Sequence, residues 1–162
     1  WKGYKSTGSH NGTVAIQNAD LLIEDGALKA GEFTIDMNSI KVEDIPADND
    51  GNAKLRGHLT SADFFDVATY PTSKFVITNV EKKEGNKVHL TGNLTIKDVT
   101  KSVTIPAMMS TENGVTTLES ETFMIDRAEF NVKYGSKSFF DDLKDKFIND
   151  DMEMSFVVKT KA

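Results

Sequence analysis

The sequence predicts an all-β fold of eight antiparallel strands with two short helices, and three observations predict it. Apolar and polar residues alternate with period two in short runs, as in strands that bury one face. Asp, Asn and Gly residues stand between the runs, so neighbours in sequence should pair as neighbours in space. A length of 162 residues, 38% apolar and 27% charged, suits one domain over 1–162 with a single sizeable core.

The first run, 1–7, starts directly at Trp1 with no charged n-region, apolar segment or cleavage site ahead of it, as in a mature or trimmed chain. Runs 13–24 and 27–37 flank Glu24-Asp25-Gly26; in the second of them Phe33, Ile35 and Met37 face one way and Glu32, Thr34 and Asp36 the other. Ile45 to Asn52 reads as an acidic loop, and 53–65 spaces Leu55, Leu59 and Ala62 at helical intervals despite Gly57. Runs 74–84 and 86–97 meet at Glu84-Gly85-Asn86, and Val88, Leu90, Leu94 and Ile96 alternate with polar residues in the second. Runs 100–110 and 114–127 flank Glu112-Asn113-Gly114. Gly135 lets the chain leave a strand. Residues 138–147 then place Phe139, Phe140, Leu143 and Phe147 on one side of a second helix, with Ser138 as N-cap, Asp141 and Asp142 in the first turn and Lys144 and Lys146 later. The last run, 152–161, alternates Met152, Met154, Phe156 and Val158 with Glu153, Ser155, Val157 and Lys159. Eight such strands can close into a barrel, which removes exposed edges, or pack as a two-sheet sandwich; alternation does not choose between them.

Composition removes several functions. With 19 Lys plus Arg against 25 Asp plus Glu, the net charge is −6 and the chain has no concentrated basic face to recruit nucleic acid. No apolar run approaches the roughly 18 to 20 residues of a membrane-spanning helix. The absence of cysteine excludes disulfides, thiol nucleophiles and iron–sulfur clusters. His10, His58 and His89 are far apart and no His-Glu-x-x-His occurs, so no metal site is expected. Asp48-Asn49-Asp50-Gly51 resembles half of an EF-hand loop, but Gly57 stands where the bidentate Glu belongs.

Phosphate-cradling glycine motifs and the Gly-x-Ser-x-Gly elbow are also missing. Asp141/Asp142 and Asp150/Asp151 are adjacent and diverge in regular structure, so they do not form an acid and base pair. No catalytic constellation emerges, and a non-enzymatic role is expected. Ten Phe and six Met spread over several strands remain. A packed core accounts for such stripes, and so does a hollow barrel around a lipid, since Met adapts to irregular space.

Four stretches carry a resemblance. They are Ser9-His10-Asn11-Gly12-Thr13-Val14; His58 to Val67 with Phe64-Phe65-Asp66, followed by Tyr70-Pro71-Thr72-Ser73-Lys74-Phe75; Gly92 to Val103 with Leu94-Thr95-Ile96-Lys97-Asp98-Val99; and Ile125-Asp126-Arg127-Ala128-Glu129-Phe130. In this order they resemble the YceI family of lipocalin-like bacterial proteins, and Tyr134 to Asp141 resembles its Bacteroidetes-type subgroup. Asp98 and Asn131 stand where the family usually has glycine.

The resemblance implies an extended eight-stranded antiparallel lipocalin-like barrel with helices near its ends. It also implies a tunnel for an isoprenoid chain, either a polyprenyl lipid or a quinone, and a periplasmic or secreted place. An apolar tail needs area rather than hydrogen bonds, at about 25 cal/mol per Å² buried. The expected tail-lining residues are Val14, Ile16, Phe33, Ile35, Met37, Phe75, Ile77, Leu94, Ile96, Phe123, Ile125, Met154 and Phe156, with Phe64, Phe65, Phe130 and Phe140 at the mouth or docking the helices. His10, His58 and Arg127 are the head-group candidates, Arg127 having a cross-strand carboxylate as its other partner. The isoprenoid is a ligand, with no cofactor expected; transient membrane-surface contact and a homodimer are compatible with this reading. Its rivals are a filled, ligand-free barrel serving stress response or protein interaction, and a lipid hydrolase or isomerase with His10 or His58 as base.

Overall fold

Alternating burial organises nearly the whole chain in the computed structural model, which describes residues 1–161. Among these residues the strands are β1 (Lys2–Lys5), β2 (Gly8–Glu24), β3 (Ala27–Val42), β4 (Thr72–Lys82), β5 (Lys87–Ile96), β6 (Val99–Glu112), β7 (Val115–Ser120), β8 (Phe123–Asp126), β9 (Asp151–Met154) and β10 (Val157–Lys161). One helix, α1 (Asp50–Thr60), crosses outside β3. Strand β5 shows the rule most clearly, with Val88, Leu90, Leu94 and Ile96 buried between more exposed Lys87, His89, Asn93 and Thr95.

All pairings are antiparallel, in the order β10-β7-β6-β5-β4-β3-β2-β1-β9-β8. The two ends of this order are joined by the chain itself. Only Glu121 and Thr122 separate β7 from β8, and only Ser155 and Phe156 separate β9 from β10. The sheet therefore curls into a ring, the barrel arrangement rather than the sandwich.

The eight expected runs become ten strands because 114–127 and 152–161 each break once. The register shifts by one residue between Val157↔Glu119 and Phe123↔Met154, so the break is a bulge. Ser120 spans it: its amide donates to the Phe156 carbonyl and its hydroxyl accepts from the Phe156 amide at 2.8 Å. The expected turns form at Asp25-Gly26, Gly85 and Asn113-Gly114, all with left-handed φ.

Both helix expectations need correction. The first begins at Asp50 rather than 53, because Asn49 accepts the Gly51 amide at 2.8 Å and caps it, and it ends at Thr60 rather than 65. Polar anchors fasten it more than an apolar face, since none of its residues is buried. Asn52 Nδ2 donates to the Val42 and Ile45 carbonyls, and Arg56 donates to those of Ile40 and Asn38. The second, 138–147, is not an α-helix. Asp142 and Lys144 take left-handed φ, the Ser138 hydroxyl donates to Asp150 instead of capping, and a 3-10 turn at Lys144–Lys146 is the regular structure formed.

One half of the barrel is filled. Leu28, Ile77, Val88, Leu90, Ala107, Leu118 and Val158 pack there, with Leu90 and Leu118 fully inaccessible. A separate cluster of Met37, Ile40 and Val67 sits near α1.

Candidate binding cavity

Between the filled half and the α1 end lies a cavity of about 580 Å³ with chiefly apolar walls. Period-two alternation aims Phe33, Ile35 and Met37 of β3 into it, and a bulge then restores Ile40 to the same side. Ser39 pins that bulge, its hydroxyl donating to the Asp36 carbonyl and accepting from the Ala15 amide. Facing strands supply Val14 and Ile16, Phe75, Leu94 and Ile96, Phe123 and Ile125, and Met154; Phe156 enters from the bulge, and Phe64 and Phe65 from the turn after α1.

Three expected residues lie elsewhere. Ile77 is in the filled half, Phe130 is 1% exposed in a 3-10 turn at Arg127–Phe130, and Phe140 is 49% exposed on the outer surface. The wall also includes Trp1, Ile40, Leu59, Ile105 and Met152, absent from the expected set. Met152 and Ile105 share the phase of Met154 and Ala107, so alternation was a sufficient signal for both. Trp1 and Leu59 arrive only through tertiary packing.

Four phenylalanines meet across the bore. Ring centroids are 6.0 Å apart for Phe33 and Phe75, 5.4 Å for Phe33 and Phe156, and 6.3 Å for Phe123 and Phe156. Gly92 makes room for this layer, because a Cβ there would stand 2.6 Å from Phe75 Cζ.

The polar groups divide sharply. His10 Nδ1 pairs with Asp44 at 2.8 Å, and His58 Nε2 with Asp63 at 3.0 Å, and neither histidine is on the cavity wall. Desolvation raises the Asp44 pKa, but hydrogen bonds from the Asn11 amide and His10 outweigh it and leave the carboxyl below its ordinary range. Arg127 does reach the wall and is 2% exposed. Its guanidinium donates to the Asn149, Val132 and Ile148 carbonyls at 3.1, 2.9 and 3.0 Å, so it ties the 148–150 segment to the end of β8. Burial pushes its pKa down while Asp150, 3.8 Å away, and Asp126 push it back up. Ser73 is the other buried polar wall residue, its hydroxyl donating to Met37 Sδ at 3.1 Å. Among the described residues no three acidic or histidine side chains converge as a metal requires.

The seam of the barrel is thin beside the cavity. Among the described residues, strand β1 pairs with β9 through Lys2↔Glu153 alone, and with the segment ahead of β9 through an isolated Lys5↔Ile148 bridge and the Asn149 amide on the Tyr4 carbonyl. Past β1, β2 approaches β10 without a ladder among the described residues. Val14 and Ile16 on one flank, and Ser155 and Val157 on the other, belong to the cavity lining.

An antiparallel sheet curled into a barrel around an apolar pocket defines the class of lipocalin-like β-barrels. Residues 3–160 match the YceI-like domain model, and the chain belongs to that family. Protein YceI of Salmonella arizonae is 41% identical over 76 residues, a stretch covering 47% of this chain and 35% of that protein. Among solved structures, BcnA of Burkholderia cenocepacia superposes with a TM-score of 0.70 at 24% identity, covering 89% of this chain and 83% of that one. The Campylobacter jejuni YceI protein gives 0.68 at 21% identity, with 94% and 85% covered. A polyisoprenoid binding domain from Saccharophagus degradans gives 0.57 at 14% identity, with 99% and 98% covered. At these identities the structural likeness establishes the shared fold.

Proposed function

We propose that this protein is a non-enzymatic barrel that sequesters or carries the apolar chain of an isoprenoid lipid, of polyprenyl or quinone type, in its cavity. The observation that carries the reading is the chiefly apolar cavity of about 580 Å³, a size typical of ligand pockets. A filled barrel serving only as an interaction module needs no such space. The polyisoprenoid binding domain of Saccharophagus degradans, which shares the fold, lends support from a relative. A hydrolase or isomerase using His10 or His58 is disfavoured, because both histidines pair with carboxylates off the cavity wall. Family membership favours a periplasmic or secreted setting, where an apolar chain needs shelter from water; membrane-surface contact during loading and a homodimer fit that setting.

The test is native mass spectrometry of the purified protein followed by solvent extraction. The expected result is an apolar molecule of defined mass, or uptake of a prenylated quinone by the empty form. Ile35→Trp, on the half-buried wall, and Phe33→Trp narrow the bore and should each lower uptake at least several-fold. Unchanged uptake in both variants, with the fold retained by circular dichroism, would remove the ligand from this cavity.

A further inference from the structure

The geometry points to a pocket that ends inside the barrel on a phenylalanine floor, so that the barrel buries only a limited length of isoprenoid tail. This rests on the isoprenoid reading above and adds which residues set the ligand's length. The layer of Phe33, Phe75, Phe123 and Phe156 lines the cavity on one side. Beyond it, Ile77, Val88, Leu90 and Leu118 are buried, pack together and are absent from the cavity lining, so the bore does not continue as open space along the barrel.

Two glycines tighten this closure. Gly92 admits the Phe75 ring, and a Cβ at Gly31 would stand 2.8 Å from Ile77 Cδ1, so each missing side chain is replaced by a neighbour's. The polar wall residues Arg127 and Ser73 belong to the α1 side of the layer: Ser73 opposes Ile35 on β3, and Arg127 lies 5.8 Å over the Phe64 ring. A ligand therefore places its tail tip on the floor and its polar head toward α1.

The depth can be bounded along β3. The bulge takes up length, since Asp36 to Lys41 spans only Ala15 to Thr13 of β2, so from Ile40 to Phe33 the strand advances roughly 16 Å, or about 12 Å along the axis at the tilt usual for barrels. An extended isoprene unit advances about 5 Å over its four carbon–carbon bonds. The pocket thus accommodates about two to three units, and the rest of a longer tail leaves through an opening and adds little burial.

Quinones carrying prenyl tails of about one to about ten units serve as probes, read through quenching of Trp1, the single tryptophan of the chain and a cavity-wall residue. Affinity should rise several-fold per unit up to about three units and change less than about two-fold per unit beyond. In Phe75→Ala the space over Gly92 opens, and in the milder Phe156→Ala the half-buried corner of the floor opens; each should move the limit to longer tails. Circular dichroism and binding of the shortest probe show that a variant is folded. A wild-type affinity that keeps climbing to ten units overturns the floor by itself, whether or not the variants fold. A wild-type limit that stays put in every folded variant overturns the assignment to these residues. Failure of the wild type to bind any probe overturns the isoprenoid reading instead, which separates the two failures.

Discussion

Lys97 and Asp98 both take left-handed backbone, with φ of 51° and 60°, in the two-residue turn joining β5 to β6. Such a turn matches the twist of its strands but strains residues that carry a Cβ, and glycine relieves the strain at its second position. Asp98→Gly should therefore raise unfolding free energy by about 0.5 to 1 kcal/mol in urea denaturation. Lowered stability would mean that the Asp98 side chain contributes more than its backbone strain takes away. Asn131 also departs from the family's usual glycine, and its φ of 62° shows the conformation required there. Its carbonyl accepts from Lys97 Nζ at 3.1 Å, so the two departures lie side by side at one end of the barrel.

Elements of this fold are pinned to one another by a few polar contacts where apolar burial is thin. Asp44, in the segment between β3 and α1, accepts the Asn11 amide at 2.9 Å and contacts His10, both on β2. Its folded-state pKa is lowered, so the carboxylate contributes stability above the ordinary carboxylate range and loses that contribution as pH falls through the folded value. The melting temperature of the wild type should exceed that of Asp44→Asn at neutral pH, and the gap should shrink towards about pH 3. A gap constant over that interval would assign the contact's worth to something other than its charge. Arg127 follows the same logic at β8. With three backbone carbonyls as partners and Asp150 3.8 Å away, it is bound up in joining elements.

The whole molecule is unevenly filled, and its stability should be uneven in the same way. Amides of β5, β6 and β7 around Leu90, Ala107 and Leu118 lie over solid core and continuous ladders, whereas β1 and β9 share a short seam beside the cavity. Native-state hydrogen exchange should be slowest in the first group and faster by at least about tenfold in the second. A bound ligand should protect β8 and β9 selectively; uniform protection in the free protein would contradict the division into filled and hollow halves.

Much of this was legible in the residues alone. Alternation with a side-chain period of two matched each strand to an expected run, though not the breaks inside 114–127 and 152–161 or the stretch of β3 beyond Met37. It aimed Phe33, Ile35, Met37, Leu94 and Ile96 inward, and Asp-Gly and Asn-Gly pairs set two of the hairpins. These are local properties, settled by φ, by the direction of Cβ and by which face is apolar. The failures were non-local. The pattern Phe139, Phe140, Leu143, Phe147 suits a helix, yet a short amphipathic helix needs a surface to cover, and Ser136, Ser138 and Asp150 instead hold that segment in turns. Helix 53–65 was displaced because its start depends on Asn49, which a loop reading had absorbed. Sequence by itself determined the strands, their facing and the family resemblance. Only the tertiary structure decided that the barrel is hollow at one end and filled at the other, because alternation marks a side chain as inward but not whether another side chain meets it there.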